Sequence, residues 1–161
     1  MIRNFLAFSL AAALVTLPAV AAPHAQSTHD LLDRIQFDAQ LARRDAGRLE
    51  SYTSDRLDWM AQGLQLTTLR DEINSLGRNV YRLQTEKQLS PAEQKLVDRV
   101  GRRVNLMGND AEDAILWGRN HRDVLWNPQY EKHVRLLSSN AARLTDEVKA
   151  VVHFESNVES D

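Results

Sequence analysis

A chain of 161 residues is long enough to bury a core, and its lack of cysteine excludes thiol catalysis, cysteine metal sites and disulfide staples. The 20 Lys and Arg are interspersed with 22 Asp and Glu, for a formal net charge of -2. Without a basic stripe to meet phosphates, neither nucleic acid nor an anionic membrane surface is an expected partner.

Residues 1–21 have the pattern of a cleaved signal peptide. Arg3 opens the chain, an apolar run extends from Phe5 to Leu17, Pro18 breaks it, and Ala19-Val20-Ala21 offers a small-residue cleavage site after Ala21. The apolar run is short for the roughly 20 residues of a spanning helix, so a retained anchor is the lesser alternative. Cleavage removes Arg3, takes the formal net charge to -3 and leaves about 140 residues, the size of one domain. Residues 22–27 are expected to be disordered. The mature part has no second long apolar run and is expected to contain no membrane span. Export together with the absence of cysteine points to a periplasmic or secreted protein.

From residue 28 onward, apolar or small residues recur at alternating steps of three and four, the mark of helices packed side by side. The first stripe is Leu32, Ile35, Ala39, Ala42, Ala46, Leu49 and Thr53. The second is Leu66, Leu69, Ile73, Leu76, Val80 and Leu83, with Trp59 one heptad before Leu66. The third is Val97, Val100, Val104, Met107, Ala111, Ala114 and Gly118. The fourth is Tyr130, Val134, Leu137, Ala141, Leu144, Val148 and Val151. Two helix starts are chemically sharp. Ser90-Pro91-Ala92-Glu93 forms a capping box with proline at the first helical position, and Asn127-Pro128 repeats the cap-then-proline logic. The junction between the first two stripes is less defined, because their phases differ by one residue. Tyr52-Thr53-Ser54-Asp55 suits a tight turn with Ser54 as cap, and the rival is a first helix ending at Gly63 with Thr67 or Thr68 as cap.

Short connections make neighbouring helices antiparallel. The expected fold is all-α, an up-down-up-down four-helix bundle with helices at about 28–52, 54–87, 90–120 and 127–155 and a frayed tail over 156–161.

Bundles of this kind often hold paired metals through Glu-x-x-His motifs, but none of the five histidines has a glutamate three residues before it. The acidic cluster Asp110, Glu112 and Asp113 lacks the glycine and spacing of a calcium loop. No metal and no cofactor is therefore expected. One grouping could carry function. The first and third turns share one end of the expected bundle, and that end collects Tyr52, Trp59, Trp117, His121, Trp126, Tyr130 and His133. Ala111, Ala114 and Gly118 leave room beside them, so an aromatic pocket with polar tips could take a small ligand. The plainer reading of the same residues is a bulky aromatic cap on the open end of a bundle.

The leading functional expectation is a non-enzymatic binding module of the cell envelope, whose partner is an envelope protein or a small ligand. A chaperone-like stress adaptor is the alternative, with Phe37, Tyr81 and Leu116 as candidates for an exposed apolar face. Leu89-Ser90-Pro91-Ala92-Glu93-Gln94 resembles the Leu-Thr-x-x-Gln start of periplasmic helical stress chaperones, over six residues that also make a generic capping box. A third alternative is an enzyme pairing His121 or His133 with a carboxylate such as Asp113 or Glu131 for acid–base work, although no nucleophile or oxyanion donor accompanies them.

Overall fold

The computed structural model describes residues 27–121 and 127–158; the leader expected over 1–21, its cleavage site at Ala21, the stretch 22–26 and Trp126 lie outside the described residues. Within them the chain forms four α-helices and no strand: α1 Thr28–Ser54, α2 Trp59–Glu86, α3 Pro91–Asn120 and α4 Pro128–Val158. The last helix continues past Phe154, beyond the expected start of a frayed tail. Among the described residues no helix is long and apolar enough to cross a membrane.

Each helix start has a side-chain cap for its unpaired amides. Ser90 Oγ accepts from the Glu93 amide at 3.3 Å while Glu93 Oε2 accepts from the Ser90 amide at 2.6 Å. Ser27 and Asp30 form the same reciprocal box on α1. Asn127 Oδ1 accepts from the Gln129 amide at 2.8 Å, just ahead of α4.

At the first junction the cap is Asp58, whose Oδ1 accepts from the Ala61 amide at 3.0 Å, and Ser54 stays inside α1. The reason lies in how α1 closes. Arg56 adopts a left-handed backbone (φ 53°), which lets the Leu57 amide reach the Tyr52 carbonyl at 2.9 Å and the Arg56 amide reach the Thr53 carbonyl at 3.2 Å. This is the Schellman pattern, satisfying two otherwise unpaired carbonyls. Gln62, almost fully buried, then fastens the turn: its Nε2 donates to the Leu57 carbonyl at 2.7 Å and its Oε1 accepts from Thr53 Oγ1 at 3.2 Å.

The helices form a ring, α1 packing on α2 and α4, and α3 on the same two. All residues of the four stripes are buried, with Trp59 half-buried and packed against them. Polar pairs fix the register. On the α1–α2 seam Asp38 accepts from Asn79 Nδ2 at 3.0 Å and the Asp45 carbonyl accepts from Gln65 Nε2 at 3.3 Å. On α3–α4, Arg103 Nη2 lies 2.8 Å from Glu147 Oε1, and Asn140 Nδ2 donates to Asp110 at 3.0 Å. Thr145 Oγ1 joins α4 to α1, 2.9 Å from the Ala141 carbonyl and 3.4 Å from that of Ala39. One end of the core is a layer in which Leu32 and Ile35 of α1 meet Val148 and Val151 of α4. Val80 and Leu83 of α2 and Val97 and Val100 of α3 complete it, around a void of only about 10 Å³. The other end holds the aromatic residues.

Two carboxyl groups meet on the α1–α2 seam. Asp45 is buried and ion-paired to Arg44 Nε at 2.7 Å, which holds it below the usual carboxylate range. Glu72 faces it, half-buried, and burial together with the Asp45 carboxylate pushes it up to about 7. Oε2 of Glu72 is buried without a hydrogen-bond partner, which disfavours its ionised form further.

Candidate ligand site

At the aromatic end an apolar cavity of about 340 Å³ opens between α2, α3 and α4. The first turns of α2 supply Trp59, Met60, Gly63, Leu64, Leu66 and Thr67. The last turns of α3 supply Ile115, Gly118 and Arg119, and α4 adds Tyr130 from its first turn. The volume falls at the lower end of small-molecule sites, roughly 300–1,000 Å³.

Local sequence explains the shape. Leu66, Ile115 and Tyr130 belong to the core and form the floor, while Gly118 keeps the α3 wall low. Trp59 sits at the first position of α2, where the Asp58 cap fixes its backbone. Its indole lies over Gly63: a methyl group on Gly63 would stand 3.1 Å from Cζ3 and 3.4 Å from Cη2 of the ring. Met60 and Leu64, one turn apart, are 75% and 71% exposed and form an unsheltered apolar rim. Of the lining side chains, Thr67 and Arg119 are the strongly polar ones. Thr67 Oγ1 donates to the Gly63 carbonyl at 2.9 Å, which leaves its lone pairs as acceptors. Arg119 is exposed in the last turn of α3 and is the one charged residue of the lining among the described residues.

Of the residues singled out in the sequence, Trp59 and Tyr130 line the cavity. Tyr130 is buried, and burial drives its phenol well above the ordinary tyrosine range, so it stays a neutral hydroxyl. Trp117 packs on Tyr130 with ring centroids 5.5 Å apart, and His121 stacks on Trp117 at 4.4 Å and 17° between planes. His121 Nδ1 lies 3.1 Å from the Trp117 carbonyl. Trp117 and His121 thus extend an aromatic row from Tyr130 but are outside the lining. Tyr52 is half-buried at the end of α1, and it too lies outside the lining. His133 sits one turn after Tyr130, with its Nδ1 enclosed and unpartnered and its ring close enough to Asp110 to act on it electrostatically. Sequence reasoning did not assign Met60, Gly63, Leu64, Thr67, Ile115 or Arg119 to the site. A signal for two of them existed, since Leu57, Met60 and Leu64 are apolar, spaced by three and four, and off the core stripe beside Trp59.

Phe37, Tyr81 and Leu116 are exposed, on three different helices. Among the described residues no three His, Asp or Glu side chains gather as a metal site would need. Compared with known proteins, the chain matches no family model, no curated protein and no solved structure.

Proposed function

We propose that the chain is an exported, non-enzymatic binding module of the cell envelope. In this reading it is an up-down-up-down antiparallel bundle that takes a small ligand between α2, α3 and α4. The observation that carries the proposal is the apolar cavity of about 340 Å³, walled by Trp59 and Tyr130 and rimmed by the exposed Met60 and Leu64. Exposed apolar rims around a concave floor are what ligand sites have and what plain bundle ends lack. Support for export comes from the sequence of residues 1–21, and support for a non-enzymatic role from the lack of a nucleophile paired with a base in that sequence.

Titration of the mature chain with apolar small molecules, following tryptophan emission, tests the binding reading. A saturable shift is expected, and emission that stays constant across a chemically broad set of ligands would refute it. Expression with the leader in a bacterial host, followed by N-terminal sequencing of the periplasmic fraction, tests export. An N-terminus at Ala22 is expected.

The chaperone-like reading draws on the same exposed Met60 and Leu64, since an apolar rim can hold an unfolded segment. It requires the protein to slow aggregation of an unfolded client, and loss of that effect in Met60→Ser/Leu64→Ser would place the client on this rim.

A further inference from the structure

The cavity has an uneven chemistry. Its floor and rim are apolar, and among the described residues the one formal charge in its lining is the Arg119 guanidinium at the mouth, with no Asp or Glu beside it in that lining. No ion pair or hydrogen bond within the protein occupies that guanidinium among the described residues. Thr67, the other polar lining residue, spends its proton on the Gly63 carbonyl. It cannot donate to a ligand while that bond stands. An uncommitted guanidinium beside an apolar hollow favours a partner whose negative group stays at the mouth while its body enters the hollow.

We infer that the cavity binds a free single-chain anionic amphiphile, with the apolar chain between Trp59, Leu66 and Ile115 and the anionic head on Arg119. The inference rests on the binding reading above and adds the ligand's chemical class. A volume of about 340 Å³ admits one medium-length chain and not the two chains of a bilayer lipid. The exposed Met60 and Leu64 would close over the part of the chain nearest the mouth, which explains why two large apolar side chains stand unsheltered beside a hollow. Buried Tyr130, kept neutral, adds no negative charge to repel the head group.

The test compares three probes with the same ten-carbon chain, each below its micellar concentration: decanoate, decanol and decyltrimethylammonium. Isothermal titration of the unaltered mature protein gives the affinities. Tryptophan emission in Trp117→Phe/Trp126→Phe, where Trp59 alone reports, locates the site. Decanoate is expected to bind at least tenfold more tightly than decanol, to shift Trp59 emission, and to lose its advantage in Arg119→Gln while decanol binding holds. Equal affinity of decanoate and decanol, or preference for the cation, overturns the anionic class and leaves the cavity reading standing. An anion preference that survives Arg119→Gln overturns the assignment to Arg119. If none of the three binds the unaltered protein, the cavity reading falls with it.

Discussion

Asp45 on α1 and Glu72 on α2 face each other across the first seam of the bundle, Asp45 held below the usual carboxylate range and Glu72 pushed up to about 7. The asymmetry follows from Arg44, which pairs with Asp45 and leaves Glu72 the worse place for a second negative charge.

That arrangement predicts a pH window. Glu72 titrates near 7 in the folded chain against an ordinary 4.5, so its stabilising contribution is complete below about 4.5 and is lost as pH rises through 7. Asp45 acts in the opposite sense: depressed below 3.8, it contributes above that value and fails as pH falls through its folded pKa. Arg44 and Arg48 temper the pair and Asp38 aggravates it. Glu72→Gln keeps a donor for Asp45 without a charge. It should raise stability at pH 8 by about 1–2 kcal/mol, after allowance for solvent screening, and change it little at about pH 4. Urea unfolding at the two pH values checks this.

Gln62 is the polar fastener of the first turn, and its loss should be felt. Gln62→Leu leaves the Leu57 carbonyl without its 2.7 Å donor, although Thr53 keeps its bond to the Leu49 carbonyl. The expected cost is about 1 kcal/mol, the usual net contribution of one hydrogen bond, because Leu57 is exposed and water can reach its carbonyl. Chemical denaturation with an unchanged m-value would show that stability alone has moved.

Arg56 holds a left-handed backbone that glycine adopts freely. Arg56→Gly should therefore stabilise the protein by roughly 0.5–1 kcal/mol, part of the relief being offset by the freer unfolded chain. A rise in melting temperature is the readout, and a fall would show that the arginine side chain contributes more than its backbone costs.

Gly63 governs the wall of the cavity. Gly63→Ala places a methyl group 3.1 Å from the Trp59 indole, so the ring must give way by a few tenths of an ångström. Far-ultraviolet circular dichroism should hold while Trp59 emission shifts, and the affinity for any ligand of the cavity should drop. Unchanged emission would mean that the ring does not lie against the helix.

The four stripes were legible because burial in a helical ring follows the spacing of apolar residues, and each stripe residue from Leu32 to Val151 is in the core. The first turn was not, because Ser54 and Asp58 are both competent caps. The choice between them depends on Arg56 turning left-handed and on Gln62 reaching nine residues back to Thr53. The buried polar residues Asp45, Gln65 and Thr145 were hidden for a related reason. Their partners include groups on neighbouring helices, up to 106 residues away in the chain. At the site, Trp59 and Tyr130 could be read because each continues a core stripe, whereas Arg119 could not, since one exposed arginine in a last helical turn looks like any other.

The layer that joins Leu32 and Ile35 to Val148 and Val151 has a practical corollary. The beginning of α1 and the finish of α4 emerge together, opposite the hollow beside Trp59. Whether the molecule is fixed to a sensor chip through its front or its back, the same mouth therefore points into the flow, and immobilised binding measurements from the two attachments should coincide.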